Sequence, residues 1–394
     1  MKRAVTNVRM LLPHGIEPGA LLLDGDRIAE ARADAAPGSV AGYETVDGGG
    51  RIAAPGYIDI HVHGGGGFDL MTGDPEQVRG FARWAVRHGV TSFLVSTSGR
   101  NHAEILQRLR ALAPVIGAPG PGEARALGFH LEGPYINPQR KGAFDPRWLR
   151  APSVAEYREL FEASGGAIRQ MTLAPELPGA DELICAVVES GAVAAMGHTD
   201  ATYEQALQAI ELGASHITHC FNAMRPFGHR DPGVLGVAFD RPLAYRGPTV
   251  ELIGDGAHVG YVAARALVHA RGSDAIVLIT DGMPLCGTPD GEGRWEGVAI
   301  KVEGGKAVRV ADGTIIGGTT PLDTMVRNAW HHIGVPRDEA PRMASLHSAQ
   351  AIGAAGERGS LATGAAADFV LLDDELHVSE TWVGGERAWS AAPA

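Results

Sequence analysis

The chain has 394 residues, of which 45% are hydrophobic and 20% charged, and its formal net charge is −12. This length accommodates one large domain and a small accessory domain, and the composition is ordinary for a folded globular protein. The acidic balance argues against a nucleic-acid partner, because nucleic-acid surfaces of proteins are basic.

The cysteine count and the apolar runs bear on the compartment. The chain has three cysteines, an odd number without paired spacing, so we expect no disulfide framework and a reducing, cytoplasmic setting. The N-terminal stretch has no signal-type apolar core, and no apolar run reaches the roughly 18 residues that a spanning helix needs. We therefore expect neither secretion nor a membrane partner.

Short strand-like runs separated by turns occupy both ends of the chain. Each group is too small to bury a core alone, which predicts that the two groups pair into one small β-sandwich domain formed by residues 1–53 plus 359–394. The strand-like runs are 3–10, 19–23, 27–31 and 45–52 at one end, and 367–373, 376–383 and 386–389 at the other.

Residues 54–358 alternate strand-like and helix-like runs, which predicts a parallel sheet with helical crossovers. Eight such strands in sequence favour an α/β fold of the (β/α)8 TIM-barrel type over an open sheet. A Gly-rich excursion at 282–318 predicts a hairpin, with helices near 321–332 and 338–350. The predicted strands are 57–63, 91–96, 126–132, 169–174, 192–198, 214–219, 248–254 and 275–281, and the helices between them are 75–88, 103–115, 154–163, 181–189, 202–212 and 261–270.

The first predicted barrel strand ends in His61 and His63. Alternation along a strand places residues i and i+2 on one face, so these imidazoles should point together. A bare His-x-His is more often one packed and one solvated residue. The four glycines at 64–67, which predict a flexible turn at the C-terminal end of the strand, favour a metal site instead.

Polar residues also end four further predicted strands. A barrel brings the C-terminal ends of all its strands to one face, so residues far apart in sequence can share one site. A single buried histidine is usually a hydrogen-bonded core residue, but five strands ending this way are costly unless the groups are paired or bind a metal. The residues are His130 and Glu132 in the third strand, His198 in the fifth, His216 and His219 in the sixth, and Asp281 in the eighth.

Glu132, His198 and His219 supply the carboxylate and two imidazoles of a catalytic zinc site with one position open for water. A bound zinc lowers the pKa of water to about 7, which provides hydroxide to attack a carbonyl at neutral pH. Asp281 can then accept a proton and pass it to the leaving group as general base and acid. Its alternative is a turn aspartate, since Asp-Gly often forms turns.

Several longer motifs carry a family resemblance that runs nearly end to end. The sequence resembles the amidohydrolase superfamily and, within it, the N-acetylglucosamine-6-phosphate deacetylases. His-x-His and the terminal Asp mark the superfamily, whereas the Glu-Gly-Pro, Gly-His-x-x-Ala-Thr-Tyr and Asn-Ala-Met segments are similar to the deacetylases. The motifs begin at Pro55, His130, Leu173, Gly197, Thr218, Asp255 and Thr280.

The resemblance implies hydrolysis of the 2-acetamido group of a hexosamine 6-phosphate to acetate and the amino sugar phosphate. It implies that Glu132, His198 and His219 bind the metal, with His61 and His63 at a second position that some members have lost. Asp281 matches the acid/base of the family. His258 matches a sugar contact and, from its chemistry, can also donate to a developing oxyanion.

The resemblance also implies a substrate pocket shared between two subunits, and hence a homodimer. Arg230 matches the residue that grips the phosphate, for which the planar guanidinium is suited. Without the resemblance, a solvated surface charge explains Arg230 equally well. The substrate contacts implied are Ala143, Asn222, Ala223, Arg230, His258, Ile316 and Gly317.

Two departures from the family pattern leave the sugar open. Phe144 stands where members often carry a polar residue near the sugar hydroxyls, and Gly317-Gly318-Thr319 stands where a Gly-Ser pair is usual. An N-acetylgalactosamine 6-phosphate or another amide therefore remains an alternative substrate. The rival classes are a different amide-cleaving amidohydrolase, which commonly uses a carboxylated lysine, and a non-catalytic metal-binding or sugar-phosphate-sensing protein, which would not need Asp281.

Overall fold

The computed structural model describes residues 1–33, 40–98, 100–241 and 247–392. Eight parallel strands within these ranges form one sheet in which spatial order follows chain order. The predicted α/β barrel is thereby confirmed. Its strands are Tyr57–Asp59, Val90–Ser98, Arg125–Glu132, Ile168–Leu173, Val193–Met196, His216–Ile217, Thr249–Leu252 and Ile276–Leu278.

The barrel closes just beyond the ends of its first and eighth strands. The backbone N–H of Asp281 donates to the carbonyl of His61 at 2.9 Å, and the N–H of His63 donates to the carbonyl of Gly282 at 2.8 Å. These bonds join the two edge strands at the end of the barrel where the polar residues cluster. The closure of the barrel and the polar cluster at its C-terminal end therefore depend on the same few residues.

Five barrel strands end two or more residues earlier than predicted, at Asp59, Met196, Ile217, Leu252 and Leu278. The predictions that they continue to residues 63, 198, 219, 254 and 281 were wrong. At three of these ends the following polar residue has a left-handed backbone, which breaks the extended ladder. The φ angles are 48° at His198, 25° at His219 and 45° at Asp281.

The helices pack around the barrel through amphipathic faces. Helix Pro75–Ala85 is an example, because its buried residues recur at helical spacing on one face, namely Val78, Phe81, Ala82 and Ala85. The side chain of Asp74 caps the first turn of this helix. The helices in the described ranges are Pro75–Ala85, His102–Leu112, Val154–Ala163, Ala180–Glu189, Tyr203–Glu211, Gly233–Phe239, Tyr261–Arg271, Leu322–Asn328, Ala340–Met343 and Leu346–Ala351.

Three helical features differ from the prediction. Gly233–Phe239 is a short helix that the sequence did not indicate. The predicted helix near 321–332 ends at Asn328 and continues as a π-helical turn to Ile333. The predicted helix near 338–350 is interrupted, since Ser345 has non-helical backbone angles. None of the helices in the described part of the chain combines the length and hydropathy needed to cross a bilayer.

The two chain ends form one continuous eight-stranded sheet, joined where Ile52–Pro55 pairs antiparallel with Phe369–Leu372. One face of this sheet packs around a shared core that includes Met10, Leu23 and Trp382. The division into 1–53 plus 359–394 and 54–358 stays a prediction, and residues 34–39 and 393–394 lie outside the described ranges. The other strands are Lys2–Leu12, Gly15–Asp24, Arg27–Ala33, Glu44–Asp47, Val378–Val383 and Glu386–Ser390.

The Gly-rich excursion after the eighth strand is a three-stranded antiparallel sheet of Gly291–Trp295, Val298–Glu303 and Lys306–Arg309. Glu296 and Gly297 form its first turn, with φ angles of 52° and 79°, as two-residue hairpins prefer. This turn reaches over the C-terminal end of the barrel and lines the cavity there. We refer to Gly291–Glu303 as the covering hairpin.

Candidate active site and metal centre

Glu132, His198 and His219 bring three ligand atoms together at the C-terminal end of the barrel. Oε1 of Glu132 lies 3.0 Å from Nε2 of His198 and 3.0 Å from Nε2 of His219. The two Nε2 atoms are also 3.0 Å apart. All three side chains are at least nine-tenths buried, and their ligand atoms surround one point.

The chemistry of this group fits a divalent metal. A carbonyl can only accept, so Nδ1 of His198, 2.9 Å from the carbonyl of Arg140, carries the proton. If the ring carries only this proton, Nε2 is a bare acceptor that faces a carboxylate oxygen and a second imidazole nitrogen. Such a cluster of lone pairs is repulsive unless a cation lies between them.

His61 and His63 form the second group around the same carboxylate. Their Nε2 atoms are 3.3 Å apart, and Nε2 of His63 is 3.3 Å from Oε2 of Glu132. Oδ1 of Asp281 lies 3.5 Å from Nε2 of His61 and 3.4 Å from Nε2 of His63. Glu132 therefore contacts both histidine pairs, and the geometry accommodates one or two metal positions.

Burial and local charge act in opposite directions on Glu132. Burial raises the pKa of its carboxyl, but the neighbouring imidazoles of His61, His198 and His219 outweigh burial and hold the pKa well below its usual range. Glu132 is therefore a carboxylate at neutral pH. An ionised oxygen at this position suits a bridging or terminal metal ligand.

The backbone at the site is held in an uncommon conformation. Left-handed φ angles at non-glycine residues are infrequent and cluster where the surrounding structure holds a functional side chain. Here they occur at His198, His219 and Asp281, and again at Phe221 and Ala223 in the loop after the sixth strand. Each turn directs its side chain inward at the point where the strand stops.

The glycines at 64–67, for which the sequence predicts a flexible turn, form part of a small hairpin. Gly64 and Gly65 pair with Phe68 and Asp69 in a small hairpin. A Cβ atom on Gly65 would come within 2.3 Å of the Trp84 ring, and one on Gly64 within 2.4 Å of the Phe68 carbonyl. Close approach explains Gly64 and Gly65, which lie directly after His63.

A cavity of about 680 Å³ opens over these residues. It contains several residues implied as substrate contacts, and its outer wall has aromatic side chains that the sequence did not indicate, namely Trp148 and Trp295. The Phe144 ring packs edge-on against His198, with ring centroids 4.9 Å apart. The predicted site residues in the cavity wall are Glu132, Ala143, His198, His219, Asn222, Ala223, His258, Asp281, Ile316, Gly317 and His63.

His258 is oriented toward the cavity by a buried carboxylate. Its Nδ1 lies 2.7 Å from Oδ2 of Asp255, whose side chain is 1% exposed. Burial lowers the pKa of His258, but Asp255 and Asp281 outweigh burial and raise it above the usual value. The ring therefore carries a proton on its cavity side over a wider pH range than a free histidine does.

Arg230 is exposed and does not line the cavity of its own chain. The basic side chains that do line it are Arg100 and Arg147, and both are paired with acids, Glu296 and Asp145 respectively. Within one chain, the structure thus does not bring Arg230 to the other residues that the family resemblance implies as substrate contacts.

Three buried residues inside the barrel belong to the site and were not assigned a role from the sequence. His216 contacts Glu251 rather than the ligand group, with Nε2 2.9 Å from Oε1. His130 lies between Ser96 and Thr172, at 3.0 and 2.8 Å, and burial lowers its pKa well below the usual value. The signal for Glu251 was a lone acid within the apolar strand Thr249–Leu252.

The barrel, its terminal sheet and the polar cluster at the strand ends define a class of metal-dependent hydrolase. The model of the amidohydrolase family matches residues 52–389. The chain belongs to this family.

Among relatives of established function, the chain is similar to the N-acetylgalactosamine-6-phosphate deacetylase of Escherichia coli O157:H7, with 39% identity over 86% of this chain and 88% of the relative. It is 36% identical to the human N-acetylglucosamine-6-phosphate deacetylase, over 96% of this chain and 90% of the relative. Among solved structures, a variant of the N-acetyl-D-glucosamine-6-phosphate deacetylase of Mycobacterium smegmatis, in complex with N-acetyl-D-glucosamine-6-phosphate, matches with a TM-score of 0.89 and 32% identity, covering 98% of this chain and 99% of that one.

Proposed function

We propose that this chain removes the N-acetyl group of an N-acetylhexosamine 6-phosphate, with N-acetylglucosamine 6-phosphate as its substrate, giving acetate and glucosamine 6-phosphate. The observation that carries the proposal is the convergence of Glu132, His198 and His219 beside Asp281 in one cavity. The deacetylase relatives, at 36% and 39% identity over most of the chain, support the substrate class.

We propose zinc as the metal, because a carboxylate and two imidazoles with one open position form a typical catalytic zinc site. Glu132, His198 and His219 would hold it, and His61 with His63 offers a second position. When bound, the ion polarises the amide carbonyl and makes water acidic enough to attack at neutral pH.

The residues of the chain account for the proton transfers. Asp281 lies at the rim of the ligand group with its side chain 17% exposed, so it can reach both an attacking water and the departing nitrogen. It would take the proton of the water and deliver it to the amine. His258, held by Asp255, would donate to the carbonyl oxygen as negative charge develops there.

The phosphate contact is proposed across a dimer interface. Arg230 is outside the cavity of its own chain, and in this proposal a second subunit brings it to the substrate phosphate. In a homodimer in which each site takes Arg230 of the partner subunit, Arg230 can lie outside its own cavity and still contact the phosphate. The other partner would be the amino sugar phosphate, and the three free cysteines support a reducing compartment such as the cytoplasm.

A galactose-configured substrate is the second candidate. Phe144 offers a sugar hydroxyl no hydrogen bond, and its ring lies against His198. The position at which family members often carry a polar residue is therefore apolar here. The similarity to an N-acetylgalactosamine-6-phosphate deacetylase supports this candidate as well.

Acetate release from the two epimers tests both candidates. The zinc-loaded protein is incubated with N-acetylglucosamine 6-phosphate, with N-acetylgalactosamine 6-phosphate and with each sugar lacking phosphate. We expect the highest kcat/KM for the gluco phosphate and a large loss without the phosphate. A higher value for the galacto phosphate would select the second candidate, and no acetate from any of the four would refute the proposal.

A further inference from the structure

One buried carboxylate lies outside the proposed ligand set but contacts two of its members. Glu251 is fully buried in the seventh barrel strand. Its Oε2 accepts from Nδ1 of His61 and from the backbone N–H of His219, each at 2.9 Å. Its Oε1 accepts from Nε2 of His216 and the side-chain amide of Gln170, also at 2.9 Å.

The contact with Glu251 determines how His61 faces the ligand group. A carboxylate only accepts, so in the neutral form that binds a metal the His61 ring has its proton on Nδ1 and its lone pair on Nε2. That Nε2 points to Oε1 of Glu132 at 3.6 Å and Oδ1 of Asp281 at 3.5 Å. An anion behind an imidazole also increases its basicity as a ligand.

The other ligand imidazoles do not have such support. Nδ1 of His198 faces a neutral carbonyl. Nδ1 of His63 and Nδ1 of His219 are buried with no hydrogen-bond partner among the described residues. Within those ranges, a carboxylate other than the proposed ligands contacts a ligand ring through Nδ1 only at His61.

We propose that Glu251 is a positioning residue of the metal centre, which holds His61 with Nε2 toward the ion and ties the first-strand histidine pair to the backbone of His219. All four side-chain contacts of Glu251 are with N–H groups, as suits a carboxylate, which only accepts. This inference rests on the proposed metal centre and does not depend on the identity of the sugar.

A double-mutant cycle on metal affinity tests the coupling. The variants are Glu251→Gln, His61→Ala and the combination of both, in chains stripped of metal and titrated with zinc against a chromogenic chelator. Glu123→Gln is the matched control, because Glu123 is a buried carboxylate before the third strand that pairs with Arg79 and Arg83 instead. The visible spectrum of the cobalt-substituted chains is recorded alongside.

Removing a partner of a ligand imidazole commonly weakens metal binding about 10- to 100-fold, and we expect a loss of this size for Glu251→Gln. The loss in the combined variant should be clearly smaller than the sum of the two single losses, because the contact of Glu251 with the His61 ring is already absent in His61→Ala. Glu251→Gln should also change the cobalt spectrum, whereas Glu123→Gln should change neither affinity nor spectrum.

Three results would overturn the proposal: unchanged zinc affinity in Glu251→Gln, unchanged affinity in His61→Ala, or losses that simply add in the combined variant. If Glu251→Gln does not fold, Glu251→Asp, which keeps the charge but shortens the side chain, takes its place in the cycle with the same criteria. No substrate enters these measurements, so failure of the deacetylase proposal would leave their outcome intact.

Discussion

At the scale of single residues, the backbone and side chain of Asp281 have separate tasks. Its N–H donates to His61 and its carbonyl accepts from Gly318, so the backbone closes the barrel. Its side chain faces both first-strand imidazoles. A substitution that keeps the left-handed backbone therefore tests the carboxylate alone.

Asp281→Asn should lower kcat by about 10²- to 10⁴-fold, the usual contribution of a general acid/base. Asparagine tolerates a left-handed φ, so the fold should persist. Acetate release measures the activity, and thermal unfolding with zinc content per chain shows whether fold and metal are retained. Near wild-type turnover in a folded, zinc-loaded variant would contradict the role given to Asp281.

The Asp255–His258 pair illustrates how one residue prepares another. Asp255 also accepts the backbone N–H groups of Ala257 and His258, at 2.8 and 2.9 Å. The loop and the ring are thus fixed by one carboxylate. This arrangement lets His258 present a proton to the cavity without a partner from another strand.

At the scale of elements, ion pairs of its turn hold the covering hairpin against the barrel domain. Glu296 pairs with Arg100, and Nη2 of Arg108 lies 3.9 Å from Oε1 of Glu296. The Trp295 ring lies 6.0 Å from the His63 ring, measured between centroids. The position of this turn decides how much of the cavity mouth is open.

Glu296→Gln should raise KM about two- to fivefold while leaving kcat nearly unchanged, since a partly exposed ion pair contributes up to about 1 kcal/mol. Glu292→Gln, an exposed acid on the same hairpin, is the matched control. Steady-state kinetics on the wild type and the two variants measure the effects on KM and kcat separately. Equal KM values would show that the ion pairs do not hold the hairpin over the substrate.

A second element contact involves helix Leu322–Asn328 and the turn after helix Pro75–Ala85. Oδ1 of Asp323 lies 3.0 Å from Nδ1 of His88, and Oδ2 lies 2.9 Å from the Arg327 guanidinium. Burial raises the pKa of Asp323, but His88 and Arg327 outweigh burial and lower it below the usual value. A depressed carboxyl pKa stabilises the fold above the unfolded pKa, and this stability is lost as the pH falls through the folded one.

Asp323→Asn should therefore reduce the free energy of unfolding by about 1–3 kcal/mol at pH 7. The difference from wild type should shrink below about pH 4, where the aspartate is protonated in the unfolded chain and progressively in the folded one. Denaturant unfolding at several pH values measures it, with the exposed Asp24→Asn as control. A difference that does not change with pH would mean that packing, not charge, is lost.

At the scale of the whole molecule, the location of Arg230 makes the assembly testable. If each site combines Asp281 of one chain with Arg230 of the partner subunit, two inactive variants can complement each other. Co-expressed Asp281→Asn and Arg230→Ala chains should then recover about a quarter of the wild-type activity, because half of the dimers are mixed and each mixed dimer has one complete site.

Each variant alone is the control and should be nearly inactive. Size-exclusion chromatography with light scattering reports the oligomeric state of the same samples. Absence of complementation in verified mixed dimers would place the whole site within one chain, and full activity of Arg230→Ala alone would remove Arg230 from the site.

The sequence by itself determined the barrel and the members of its ligand group. Alternating strand and helix patterns are local, and the confirmed fold followed from them even where individual strand ends were misplaced. Glu132, His198, His219 and Asp281 were identifiable because buried strands rarely end in ionisable residues without a reason. Once a closed parallel barrel is given, its topology alone brings such ends to one face.

The tertiary structure decided what depends on distances between strands that are not neighbours. It placed His216 on Glu251 rather than in the ligand group, kept Arg230 out of its own cavity, and turned the glycines after His63 into a packed hairpin. It also ended the strands early, because the inward turns at His198, His219 and Asp281 are imposed by the site they form. No periodicity along the chain records these contacts, since each is a hydrogen bond or a close approach between segments that only folding brings together.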